Sequence, residues 1–306
     1  MSSSPPPKRY LDPKIGFAFK RIFGGHANLL KSFLNALLPL PAGGQIDSLE
    51  YLDPELALAI PGLYKHSIID AKCTDQQGRI FIVEIQMLWS AQFEHQMVFE
   101  AGQAFVKQLH AGQAWREPKS VYALVIINSA FPPESGIAAV DYYHHYRIVN
   151  VEQPMQVLAG LEFVLIELPK FKPEGRAEKP LQTLWLRFLR EVGAAPSQVV
   201  DAELLQDDDI AQAVDLVWPR GFTEAELARY DTAINELTTY ISMLADAEDK
   251  GRAEGKAEGK AEGERAKALA IASALLAKGS SLELVATVTG LSIEKLRARY
   301  GGIVAP

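Results

Sequence analysis

The sequence is poor in most of the signals that announce a function. Its single cysteine, Cys73, excludes an internal disulfide and any thiolate cluster for zinc or iron–sulfur. No apolar run approaches the roughly 20 residues that span a bilayer. Ser/His/Asp nucleophile motifs and glycine-rich phosphate loops are absent. A charge excess is nearly absent too. The net charge is −7, and residues 1–150 hold 13 Lys+Arg against 13 Asp+Glu, which leaves 18 against 25 beyond them. That balance argues against broad electrostatic binding of nucleic acid, though not against a local basic groove on the neutral half. Residues 1–7 are rich in Ser and Pro and carry no secretory signal pattern. The expectation is a cytoplasmic protein with a reduced, buried thiol.

What is present is ordinary globular composition, 48% hydrophobic and 23% charged over 306 residues. After an expected disordered start (residues 1–11), Asp12-Pro13 reads as the opening of a helix, with Asp12 as N-cap. A second helix is expected from about 27 to 38, and a first strand over 46–52. Two strands around residues 67–86 follow, then a long helix from about 90 to 114. Val121 to Asn128 is a continuous apolar run of the kind buried on both faces. Further strands are expected at 142–147 and 162–168. Helices, three strands, a helix and two strands imply an α/β core around one mixed sheet, over residues 12–170.

Beyond that core a helical region is expected over 171–250, with a capping box at Thr223–Glu226. Residues 251–265 repeat Gly-Arg/Lys-Ala-Glu and read as a solvated, semi-flexible helical spacer, since each Gly weakens helix by nearly ~1 kcal/mol. Residues 266–306 read as a small helix-turn-helix-like unit with Gly279 and Gly290 at its turns.

The chemistry concentrates in His66 to Gln86. Asp70 and Glu84 sit inside apolar runs, where a carboxylate is costly unless something pairs with it. A shared divalent cation removes that cost. Alternation puts Glu84 with Gln86 on one face, and Asp70 with Lys72 on one face. Parity adds a condition. An even hairpin loop pairs Asp70 with Val83 and separates the carboxylates, whereas an odd loop or a bulge brings Asp70 opposite Glu84. The bland alternative is a charged pair on a solvent-facing sheet, with Lys72 as an ion-pair partner. Tyr142-Tyr143-His144-His145-Tyr146 offers adjacent histidines, but neighbours on a strand point to opposite faces, so packing is favoured over a shared ion. Asp207-Asp208-Asp209 reads as the acidic start of a helix.

Several segments together resemble the PD-(D/E)XK nuclease superfamily, and within it the nuclease family transposases, or recombination-promoting nucleases. They are Asp12 to Gly24, Phe33 to Leu38, Leu49 to Glu55, Asp70 to Asp75, Phe81 to Gln86, Lys107 to Leu109 with Gly112, Val121 to Leu124, and Ile166 to Phe171. The resemblance implies a restriction-endonuclease-like core and Mg²⁺-dependent (or Mn²⁺-dependent) endonuclease cleavage of DNA phosphodiesters in DNA recombination. It implies Asp70, Glu84 and the Ile85 carbonyl as metal ligands. Gln86 stands where the superfamily usually has Lys, a substitution common in this family. Lys72 is the candidate to supply the missing charge at the phosphate, and Asp12 a weaker acidic candidate. One departure is Gln96, where relatives usually have Arg. The expected partners are DNA and, through the C-terminal helices, a second copy of the chain. The alternative is a catalytically inactive nuclease fold kept as a DNA- or protein-binding module.

Overall fold

The computed structural model describes residues 10–52, 71–108, 118–132, 140–173, 180–194 and 199–300. They divide into a unit ending at Ala233 and a second beginning at Ile234.

The first unit is built on a six-stranded mixed sheet in the order β1-β2-β3-β4-β6-β5. Its strands are β1 (Leu49–Tyr51), β2 (Ala71–Asp75), β3 (Ile80–Gln86), β4 (Val121–Ile127), β5 (Tyr143–Val149) and β6 (Val157–Glu167). β4 runs parallel to both β3 and β6, and the outer pairs are antiparallel. Every residue of β4 is buried, as its unbroken Val-Tyr-Ala-Leu-Val-Ile-Ile run demands of a strand covered on both faces.

Alternation along the strands sorts the core into two layers. Cys73, Phe81, Val83, Leu124 and Ile166 face one side, against α1 (Gly16–Phe23), α2 (Ala27–Leu37), α4 (Pro180–Glu191) and α5 (Asp208–Leu216). Trp185 is fully buried there between Phe23, Phe33 and Phe188, and its indole N–H donates to Ser32 Oγ at 3.2 Å. Ile80, Ile82, Ala123, Val125 and Leu165 face the other side, against Phe93, Met97, Ala101 and Ala104 of α3 (Ala91–Val106).

The first helix starts later than Asp12-Pro13 suggests. Ile15 occupies the N-cap position, and Asp12 Oδ1 instead accepts from the backbone N–H of Lys14 at 2.9 Å and from its ammonium at 2.8 Å. The Asp12 N–H donates to Tyr230 Oη at 2.7 Å. Lys14 is buried and also donates to the Leu189 carbonyl, so a local turn with its own ion pair outcompetes the helix start. Asp207 does cap a helix: its side chain accepts from the Ile210 N–H, with Asp208 and Asp209 in the first turn of α5.

Past the sheet, α6 (Glu224–Ala277) is one helix of 54 residues. The two helices and spacer expected from the sequence are therefore continuous. The Gly-Lys-Ala-Glu repeat keeps helical geometry because its other residues are good helix formers, and Arg252–Glu248, Lys250–Glu254 and Lys260–Glu264 pair one turn apart. A Cβ added at Gly251, Gly255, Gly259 or Gly263 would meet nothing within 4 Å. Replacing all four by Ala is expected to stabilise this segment by about 3 kcal/mol. Slower amide hydrogen exchange over 248–266 is the measurement that checks it, and unchanged exchange would refute the reading.

In the second unit, Ala272 and Leu276 of α6 pack with Val285 of α7 (Leu282–Thr289) and Leu296 of α8 (Ile293–Tyr300). Ser281 caps α7, and Gly290, at φ 70°, makes the left-handed turn into α8.

Candidate active site

The β2–β3 hairpin is set by its turn. Gln76-Gln77-Gly78 forms a three-residue loop in which Gly78 takes φ 77°, a conformation that favours glycine. Asp75 Oδ1 accepts from the N–H groups of Gln77 at 3.0 Å and Arg79 at 2.9 Å, fixing the turn from inside. The Asp75 carboxylate is fully buried and also takes the Arg79 guanidinium, which reaches the Gly44 carbonyl. The loop is odd. Ala71 pairs with Val83 and Lys72 with Ile82, so the parity condition for a shared carboxylate site is met in the described part of the hairpin. Asp70 itself lies outside the described residues.

Glu84 is 6% exposed, in the middle of β3 opposite Val125. Its parity with Ile80 and Ile82 turns it toward α3, on the same face as Gln86 and Lys72. Gln86 closes β3 where the strand meets water. Its side-chain amide donates to the Leu88 carbonyl at 3.0 Å, and its backbone carbonyl accepts from the Asn128 N–H at 2.8 Å. Lys72 is half-buried. Burial lowers its ammonium's pKa, the neighbouring Lys107 lowers it further, and Glu100 opposes both. Burial likewise lowers the Lys107 ammonium.

Glu100 was missed in the sequence. It is buried at 8% exposure on α3 and accepts from Gln96 Nε2 at 3.0 Å. The signal was available: Phe93, Met97, Glu100 and Ala104 form the helical stripe that faces the sheet. A carboxylate in such a stripe carries the same warning as Glu84 in its strand. Gln96 thus does not stand idle; it is bonded to a buried acid.

Other residues weighed from the sequence lie elsewhere. Asp12 is engaged by Lys14 and Tyr230 in the layer opposite α3. His144 Nε2 bonds Glu167 Oε1 at 2.8 Å and His145 Nε2 bonds Glu162 Oε2 at 2.8 Å, one on each face of the sheet. The histidines therefore bond two separate carboxylates. Among the described residues, no group of three or more His, Cys, Asp or Glu side chains is arranged to hold a metal.

The model of the PD-(D/E)XK nuclease family transposases matches residues 13–247, most of the chain. The chain belongs to that family. A second model, the C-terminal HTH domain of the Rpn/YhgA-like nuclease family, matches residues 265–299. No curated protein and no solved structure matches the chain. In the transposase-nuclease frame, the mixed sheet with α3 on one face and four helices on the other is the nuclease core. The end of α6 with α7 and α8 is the HTH domain. Among the described residues no helix is long and apolar enough to cross a membrane.

Proposed function

We propose that the chain is a Mg²⁺-dependent DNA endonuclease of transposase-like ancestry that hydrolyses phosphodiester bonds in DNA recombination. The observation that carries this reading is Glu84, a carboxylate buried in the central sheet and turned toward Lys72 and α3, in a hairpin whose loop is odd. In this reading Asp70 stands beside Glu84, the arrangement an odd loop allows. Hard oxygen donors suit Mg²⁺, and the donors in this reading are the Asp70 and Glu84 carboxylates and the Ile85 carbonyl. The ion, when bound, supplies Lewis-acid polarisation of the phosphate and a more acidic water.

The chain's own groups do the rest. Glu84 is held in a dry strand interior, where its charge acts with little solvent screening. Gln86 has no titratable group at neutral pH. It orients a water by hydrogen bonds and transfers no proton. Lys72 brings a partly desolvated ammonium to the same face, a point charge for the phosphate that Gln86 does not provide. Glu100 favours the charged form of Lys72 against burial and Lys107, and it holds the Gln96 amide.

The HTH domain supplies the second DNA contact. Residues 265–299 hold six Lys+Arg and two Glu, against the acidic balance of the whole chain. Lys295, Arg297 and Arg299 are exposed on α8 while Leu296 anchors it. Changing Lys295 and Arg299 to Ala is expected to weaken duplex binding at every sequence. It should also reduce the slope of log affinity against log salt by about two. Titration at several salt concentrations reads this directly. Self-association through the C-terminal helices completes the reading.

The test of the nuclease is nicking of supercoiled plasmid by the purified chain with Mg²⁺ or Mn²⁺, stopped by chelator. One observation favours the rival, a silent nuclease fold used as a binding module: Gln96 replaces the usual Arg and is bonded to Glu100. A folded chain that binds the plasmid and never nicks it would establish the rival.

A further inference from the structure

α8 closes the HTH domain, and in a helix-turn-helix the last helix enters the major groove with its first residues nearest the base edges. One side of α8 is fixed to the domain. Leu296 is buried among Ala272, Leu276 and Val285, and one turn on, Tyr300 Oη donates to the Leu269 carbonyl at 3.2 Å. The period of 3.6 residues then settles the outward side. Glu294 and Ala298 stand one turn apart near its centre with Lys295 beside them, and Arg297 and Arg299 flank it. All five are exposed.

Glu294 is out of place on such a surface. Residues 265–299 hold six Lys+Arg and only two Glu. The other acid, Glu283, is engaged inside the domain. Its own N–H and Ser281 bond its carboxylate and Arg297 lies near it, all of which lower its pKa. Glu294 has no side-chain hydrogen bond or ion pair among the described residues. The first turn of a helix favours an acid through the dipole, yet Ser292 already caps α8 by accepting from the Lys295 N–H. On a surface that meets DNA, an acid is repelled by the phosphates and weakens binding to every duplex. That loss is offset only at a site that offers the carboxylate a donor.

We propose that the HTH domain reads duplex sequence, with Glu294 as the discriminating residue that accepts a hydrogen bond from the N4 amino group of a cytosine in the major groove. The proposal rests on the reading that this domain contacts duplex DNA, and not on the cleavage chemistry.

The base edges choose the ligand. An ionised carboxylate only accepts, so it needs an edge that only donates. In the major groove cytosine presents its N4 amino group and no acceptor. Adenine sets its N7 acceptor beside the N6 amino group, guanine presents N7 and O6, and thymine presents O4. Each of these three turns a lone pair toward the carboxylate. Ala298 has a side chain too short to hold α8 away from the bases.

Selection from a pool of duplexes with a randomised segment tests this, using the full chain with chelator at one fixed salt concentration. Wild type is expected to enrich a motif with one fixed cytosine, and changing that base pair should weaken binding about tenfold or more. Glu294→Gln should move the preference at that position from cytosine to adenine, whose N6 and N7 a glutamine amide meets together. It should also tighten binding to unrelated duplexes, with far-ultraviolet circular dichroism unchanged. If Glu294 serves only the helix dipole, the variant shifts the thermal melt and keeps every base preference, and that result overturns the proposal. So does a wild type that binds all duplexes equally. The Lys295→Ala/Arg299→Ala variant separates the two layers. If it binds every duplex as wild type does, the HTH reading falls and takes this proposal with it. If its binding weakens while wild type shows no sequence preference, the HTH reading stands and only this proposal falls.

Discussion

Glu84→Gln is expected to abolish plasmid nicking, by about a thousandfold or more, while the protein stays folded and still binds DNA. Glutamine keeps the shape of the side chain and removes the charge. In the nuclease reading that charge is half of the carboxylate pair that holds the ion, and its loss removes several kcal/mol of charge stabilisation at the phosphate, each 1.36 kcal/mol being tenfold in rate. The fold gains from the same change or is indifferent to it, because a buried carboxylate is costly to desolvate and a neutral amide is cheaper. Activity and stability are thus expected to move in opposite directions, which a merely structural residue would not do. Paired nicking assays and urea titrations check this. Nicking retained in Glu84→Gln sinks the assignment of this residue, whatever happens to stability.

Glu167→Ala is expected to have the largest effect on stability, a loss of about 3–5 kcal/mol. Glu167 is fully buried at the end of β6. Its carboxylate accepts from the Phe131 N–H at 2.6 Å, from His144 at 2.8 Å and from the Lys170 ammonium at 2.7 Å. Truncation leaves the Phe131 N–H, the His144 ring and the Lys170 ammonium without their common acceptor, beside an apolar corner made by Phe131 and Trp89. The triple variant Glu167→Leu/His144→Leu/Lys170→Met should recover a large part of the loss, since removing the side-chain partners together avoids an uncompensated charge. Thermal melts of the three proteins decide it. A fall below about 1 kcal/mol in the single variant would mean the corner is wetter than its geometry implies.

These two carboxylates look alike in sequence. Both are acids within apolar strands, in FVLIEL for one and IFIVEIQ for the other. The structure separates them by what reaches them. Glu167 is surrounded by donors from the loop after β4, from β5 and from the turn that follows β6, segments 23 to 36 residues away or three residues on. Glu84 lies on the sheet face that carries Lys72 and is covered by α3, the helix of Glu100.

Local chemistry fixed much of the fold in advance. The unbroken apolar run of β4, the Asp75-to-Gly78 turn, the capping acids of α5 and the glycine turn before α8 each follow from a short stretch whose backbone has few options. The order of strands and helices followed from the same periodicities. What sequence by itself could not decide is anything set by competition between distant segments. Asp12 was free, as sequence, to cap a helix, and Tyr230 and Lys14 claimed it for a turn. The glycines of the repeat weaken helix locally, yet helix persists through them because the flanking turns are already formed and each added residue extends an existing hydrogen-bonded ladder rather than starting a new one. Glu100 became a candidate only when α3 laid its stripe across the sheet and coupled it to Lys72, because burial and electrostatic coupling exist between surfaces, and a surface has no partner until the chain has packed.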